Sequence, residues 1–96
     1  MTAQLRIYTI KDGLLDEWVE KFHEEIVPPR LQYDFEVVGA WTHADQNQFV
    51  WIVAYNGPLG FQQAVDRYYE SPERSSISFD PDNYIDHMDV RLLEDT

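Results

Sequence analysis

From Gln4 to Ile10 apolar and polar side chains alternate, and this period of two predicts a half-buried strand. After Lys11-Asp12-Gly13 the period lengthens. Leu14, Leu15, Trp18, Val19, Phe22 and Ile26 recur at intervals of three and four and predict a helix, with Asp12 or Gly13 as its cap and Glu17 paired with Lys21 on its wet side. Pro28-Pro29 is its expected end, because neither ring can donate the helical hydrogen bond. Strand patterns return over residues 35–43 and 48–55, joined by the polar turn Ala44-Asp45-Gln46-Asn47, which reads as an antiparallel hairpin. Asn56-Gly57-Pro58 ends the hairpin and opens a second helix, with Pro58 in its first turn and Phe61, Ala64, Val65 and Tyr68 on one face. Ser71-Pro72 interrupts this helix, Asp80-Pro81-Asp82-Asn83 stops the short turn after it, and a last strand covers about 84–93.

Strand, helix, strand, strand, helix, strand is the ferredoxin-like order. It predicts an α+β fold of the βαββαβ type, with a four-stranded antiparallel sheet and both helices on one face. At 96 residues, 1–96 form one domain with a single core. Splitting the strands by parity gives two sets. One is aliphatic: Leu5, Ile7, Val38, Ala40, Val50, Ile52, Ala54, Val90 and Leu92. The other is aromatic and partly polar: Arg6, Tyr8, Gly39, Trp41, His43, Phe49, Trp51, Tyr55, His87 and Arg91. Aliphatic residues suit close packing under helices, so the aromatic set is expected on the uncovered face, where water would disfavour it and a twofold-related copy would bury it. The opposite assignment would make the aromatic set the wall of a pocket inside each subunit.

Charge removes several partners from consideration. Eighteen Asp and Glu against seven Lys and Arg give a formal net charge of -11, which disfavours nucleic acid and anionic membranes. The acid excess itself reads as solvated surface. No cysteine is present, so disulfides, thiolate nucleophiles and cysteine metal sites are excluded. The three histidines are scattered singly, so no metal site is expected, and without a Gly-rich phosphate loop or Gly-x-Ser-x-Gly elbow no cofactor is expected either. Charges among the first 20 residues interrupt any apolar signal core, and a cytoplasmic protein is the default expectation.

Leu5-Arg6-x-Tyr8, Lys11-x-Gly13, Leu15-Asp16-Glu17-Trp18, Val38-Gly39-x-Trp41, Asn47-x-Phe49-Val50-Trp51 and Tyr68-Tyr69-x-Ser71-Pro72 together resemble the NIPSNAP family of the dimeric α/β-barrel superfamily. The resemblance covers nearly the whole chain. It implies a ferredoxin-like subunit whose sheet packs on a partner's sheet to make a shared barrel. The superfamily includes cofactor-free monooxygenases, polyketide cyclases, haem-degrading enzymes and plain binders, so fold alone does not choose a reaction. Val53 and Arg74 stand where similar sequences carry other residues.

Two functions follow from the candidate residues. In the first, a homodimer binds a small aromatic or apolar molecule, with Tyr8, Trp41, Trp51 and Tyr55 as interface and pocket wall. In the second, a cofactor-independent enzyme acts on a small aromatic or polyketide-like substrate. There His43 or His23 would transfer protons, with an imidazole pKa near neutrality, and Arg91 or Arg6 would steady an anionic oxygen. His87 shares the parity of Arg91 on the last strand. Each has a structural explanation beside the chemical one: a surface histidine at a strand end, a boundary histidine packing its ring, an arginine paired with one of many acids.

Overall fold

The periodicities become a four-stranded antiparallel sheet with helices on one side. The computed structural model describes residues 1–96. The strands are β1 (Thr2–Ile10), β2 (Phe35–His43), β3 (Gln48–Tyr55) and β4 (Ile85–Glu94), in the spatial order β2-β3-β1-β4. The helices are α1 (Leu15–Lys21), α2 (Val27–Gln32), α3 (Phe61–Tyr69) and the single turn α4 (Pro72–Ser75). A short 3-10 turn at Ala44–Gln46 closes the hairpin, with Asn47 in the left-handed conformation at φ 53°.

Register fixes the faces. Arg6 lies opposite Trp51 on β3 and Val90 on β4, and Tyr8 lies opposite Phe49 and Met88. Arg6, Tyr8, Ile10, Phe49, Trp51, Val53 and Tyr55 are all buried beneath the helices. The expected assignment is therefore reversed on β1 and β3, where the aromatic side is the covered one. Leu5, Ile7, Val50 and Ile52 point to the open side. The reason is dimensional. A helix layer stands about 10 Å from a sheet, and large rings span that gap better than short aliphatic chains. Trp18, Phe22 and Ile26 descend from the helical layer into the same space. The rings meet edge to face, with centroids 5.7 Å apart for Tyr8–Trp18 and 4.9 Å for Phe22–Trp51.

A bulge makes a second correction. The β2–β3 register slips between Val37 and Gly39, so Phe35 and Val37 face the helices while Gly39 lies opposite Ile52, Trp41 opposite Val50 and His43 opposite Gln48. One extra residue flips the rest of the strand, so Gly39, Trp41 and His43 lie on the open face as expected, but apart from Trp51, with which their parity had grouped them. The Trp41 indole folds back over Gly39, where a Cβ would collide with its ring. His87 and Arg91 are on the open face too, opposite Thr9 and Leu5, whereas Val90 and Leu92 share the parity of Arg6.

The first helix does not end at Pro28-Pro29. A π-helical turn at Phe22–Ile26 widens it, and the Val27 amide donates to the Phe22 carbonyl five residues back. Both prolines then occupy the first turn of α2, where their missing amide hydrogens cost little, and the helix runs on to Gln32. Three smaller differences are local. Leu14, not Asp12 or Gly13, precedes the first helical residue. Glu17 accepts a hydrogen bond from Tyr84, leaving Lys21 3.8 Å from Glu25. Pro58 lies outside α3, which starts after Gly60.

Candidate functional site

A cavity lies between the helices and the covered face of the sheet. It holds about 50 Å³, room for roughly three or four waters, and is partly open, so that a ring-sized molecule would sit only partly within it. The sheet contributes Arg6, Tyr8, Trp51, Ile85 and Met88. The continuous helix contributes Trp18, Ile26 and Arg30, and the α3–α4 corner contributes Tyr68, Tyr69 and Arg74. That corner is built by Ser71, which caps α4 by accepting from the Arg74 amide at 3.1 Å and donates its own hydroxyl to the Tyr68 carbonyl at 2.6 Å. Tyr69 and Arg74 are thereby held on adjacent turns.

Three of the seven cations of this acidic chain line the cavity, and none of its lining residues is an acid. Arg6 is held from its own strand: Nε donates to the Tyr8 hydroxyl at 2.7 Å and Nη1 to Gln4 Oε1 at 2.8 Å. Arg30 is 2% exposed. Its Nη2 donates to the Tyr69 hydroxyl at 3.2 Å, while Nε and Nη1 have no partner. Rings surround it instead. Its Cζ lies 4.1 Å from the centroid of Tyr68, 4.9 Å from Phe35 and 5.5 Å from Trp51, and Arg6 approaches the same Trp51 ring at 5.7 Å. The remaining buried polar atoms without partners are Trp18 Nε1, Trp51 Nε1 and Tyr68 Oη, all on residues that line the cavity.

The charges act on one another. Burial pulls the Arg30 guanidinium below the ordinary arginine value against the opposing pull of Tyr69 and Tyr68. Burial also works against Arg6, but Tyr8 and Tyr69 outweigh it and leave its pKa raised. For Tyr69, burial would raise the phenol, yet Arg30, Arg6 and Arg74 together bring it below the ordinary value of 10.0. Tyr68 moves the other way, because burial outweighs its arginine neighbours.

Of the residues picked from the sequence, Tyr8, Trp51 and Arg6 line the cavity. Tyr55 is buried further along the same face, where its hydroxyl accepts from the Leu59 amide. Trp41 is 55% exposed on the opposite face. His23, His43 and His87 are exposed, and Arg91 is exposed and paired with Asp89 at 3.0 Å. None of these four reaches the cavity, so the structure does not assemble the proton-transfer set considered above. Arg30, Tyr69 and Arg74 line the cavity without being among the site residues the sequence pattern singles out. Only Tyr69 belongs to a motif of the family resemblance, Tyr68-Tyr69-x-Ser71-Pro72, and Arg30 lies beyond the expected helix stop. No group of three or more His, Cys, Asp or Glu residues is placed to hold a metal ion. No helix is long and apolar enough to cross a membrane.

The NIPSNAP family model matches residues 3–96. No curated protein matches the chain. Among solved structures, an uncharacterized NIPSNAP domain protein from Burkholderia xenovorans superposes with a TM-score of 0.82 at 22% identity, over 100% of this chain and 95% of that one. A NIPSNAP family protein from Agrobacterium tumefaciens gives 0.81 at 17% identity, over 99% and 92%. A protein from Nitrosomonas europaea, provisionally described as an antibiotic biosynthesis monooxygenase, gives 0.74 at 10% identity, over 99% and 98%. At these identities the likeness establishes the ferredoxin-like fold.

Proposed function

This chain belongs to the NIPSNAP family, and from that premise we propose that it works as a homodimer binding one small aromatic or apolar molecule in the cavity of each subunit. The observation that carries the reading is the cavity itself. A covered face packed with rings would be expected to close on itself, and here it leaves space walled by Trp18, Trp51 and Tyr8, with both indole nitrogens unpartnered. Two indoles beside the ligand give the experiment its signal. A panel of small aromatic compounds, followed by tryptophan fluorescence and thermal shift, should contain members that quench or shift emission and raise the melting temperature. No response from any member would overturn the reading.

The dimer is supported by the other face. Leu5, Ile7, Val50 and Ile52 form an aliphatic patch across β1 and β3, flanked by the exposed Val38 and Trp41. No helix covers it. A twofold axis would set this patch against itself without requiring a second complementary surface. Light scattering should give a dimer, and Ile52→Lys, which places a charge in the patch centre, should give a folded monomer. A wild-type monomer at high concentration would refute the pairing.

A further inference from the structure

We propose that the ligand of this cavity is an organic anion, a carboxylate on a small aromatic body, with Arg30 as its principal counter-charge and Arg6 and Arg74 beside it; this rests on the cavity being a ligand site. The argument is one of unmet demand. Every buried polar side-chain atom without a partner lies on Trp18, Arg30, Trp51 or Tyr68, and all four residues line this cavity. The two indole nitrogens and the two guanidinium nitrogens are strict donors. A neutral hydrocarbon would leave them unsatisfied, while a carboxylate offers only acceptors.

Charge points the same way. Burying a guanidinium without a carboxylate is costly, and proteins ordinarily supply the partner themselves. With eighteen acids available, this chain places none against Arg30. Its ion pairs lie elsewhere, at Met1–Asp95, Lys21–Glu25 and Arg91–Asp89. The rings of Phe35 and Trp51 attract the cation but offer it no acceptor, and the Tyr68 hydroxyl nearby makes no well-formed hydrogen bond to it. The planar guanidinium fork matches a carboxylate. The apolar Ile26, Ile85 and Met88 on the remaining wall suit a hydrocarbon body rather than a second charge.

Matched pairs test this on the full-length protein. Benzoate and phenylacetate are titrated beside benzamide and phenylacetamide, with acetate and inorganic phosphate as bodiless anions, and read by tryptophan fluorescence and calorimetry. The expected result is that each carboxylate binds at least tenfold more tightly than its amide, that acetate and phosphate compete weakly, and that Arg30→Met abolishes the preference while still melting cooperatively. Equal affinity for acid and amide would overturn the anion assignment and leave the cavity as a binding site for neutral molecules. Phosphate binding as tightly as benzoate would overturn the organic body. Silence from every compound would bring down the cavity reading as well. Should Arg30→Met not fold, Arg30→Lys, which keeps the charge and loses the fork, is expected to weaken the acid and not the amide, and the wild-type pairs decide the matter independently.

Discussion

The two faces of this sheet are built from adjacent residues of the same strands, yet they answer to different physics. Trp51 is 1% exposed beneath the helices, and its neighbours Val50 and Ile52 look out from the other side. The covered face carries rings and Arg6 and meets Arg30 and Arg74 from the helices; the open face is mainly aliphatic along β1 and β3. The contrast teaches that side-chain size, more than hydrophobicity, sorted these residues between layers. A helix packed on a sheet leaves a deep gap that needs tall side chains, and tall aromatic side chains carry polar edges into the interior with them. The open face needs only a flat surface. The proposed binding and the proposed pairing thereby fall on opposite sides of one sheet.

The largest test of this contrast substitutes one residue type on both sides. Trp18→Ala should cost about 3–5 kcal/mol, as for a large buried ring left as a cavity, whereas Trp41→Ala should stay within about 0.5 kcal/mol in dilute monomer. Urea melts of the two variants would break the comparison if their losses were equal. Next in size is Arg30→Met in the unliganded protein. Replacing an unpaired buried cation by a side chain of similar length should stabilise the fold by about 1–4 kcal/mol, a trade between stability and function. A destabilised but folded variant would mean that the surrounding rings already satisfy the charge.

A smaller, pH-dependent effect should follow from Tyr69. Its phenol is held below the ordinary value of 10.0 by Arg30, Arg6 and Arg74 against the effect of burial. A depressed folded-state pKa favours the ionised form in the native protein. Free-protein stability attributable to Tyr69 should therefore be gained as pH rises through its folded value toward 10.0 and lost as pH falls back through it. Anion affinity should move oppositely, because the phenolate occupies the same guanidinium groups. Thermal melts and benzoate titrations of wild type and Tyr69→Phe across this range check both signs. Identical profiles would show that the phenol does not titrate against the arginines.

The strands and the first helical stripe were legible because their periods are long and unbroken, and β2 and β3 fall on the residues their patterns predict. The faces were not. Parity sorts residues within a strand, but a one-residue bulge at Val38 leaves no mark in composition, and it separates Trp41 and His43 from Trp51, which lies on the other face. Reading rings as interface material was the second misjudgement, since the depth of the helix–sheet gap is a tertiary quantity. Arg30 was hidden for another reason. It follows Pro28-Pro29, a pair that terminates helices by local rules, and only the widened turn before it keeps the helix going. Thus Tyr8 and Trp51 could be picked as cavity candidates from the strand pattern, while the buried cation between Trp51 and Tyr68 could not.

That widened turn also sets the angular phase of everything after it. Each residue advances a helix by about 100°, so deleting one position between Phe22 and Ile26 would rotate α2 by that amount and carry the Arg30 side chain out of the interior, with the sheet untouched. Whether this protein holds a positive charge at its centre is therefore decided by residue count in one helical segment, and insertion or loss of a single codon there would remove that charge from the interior.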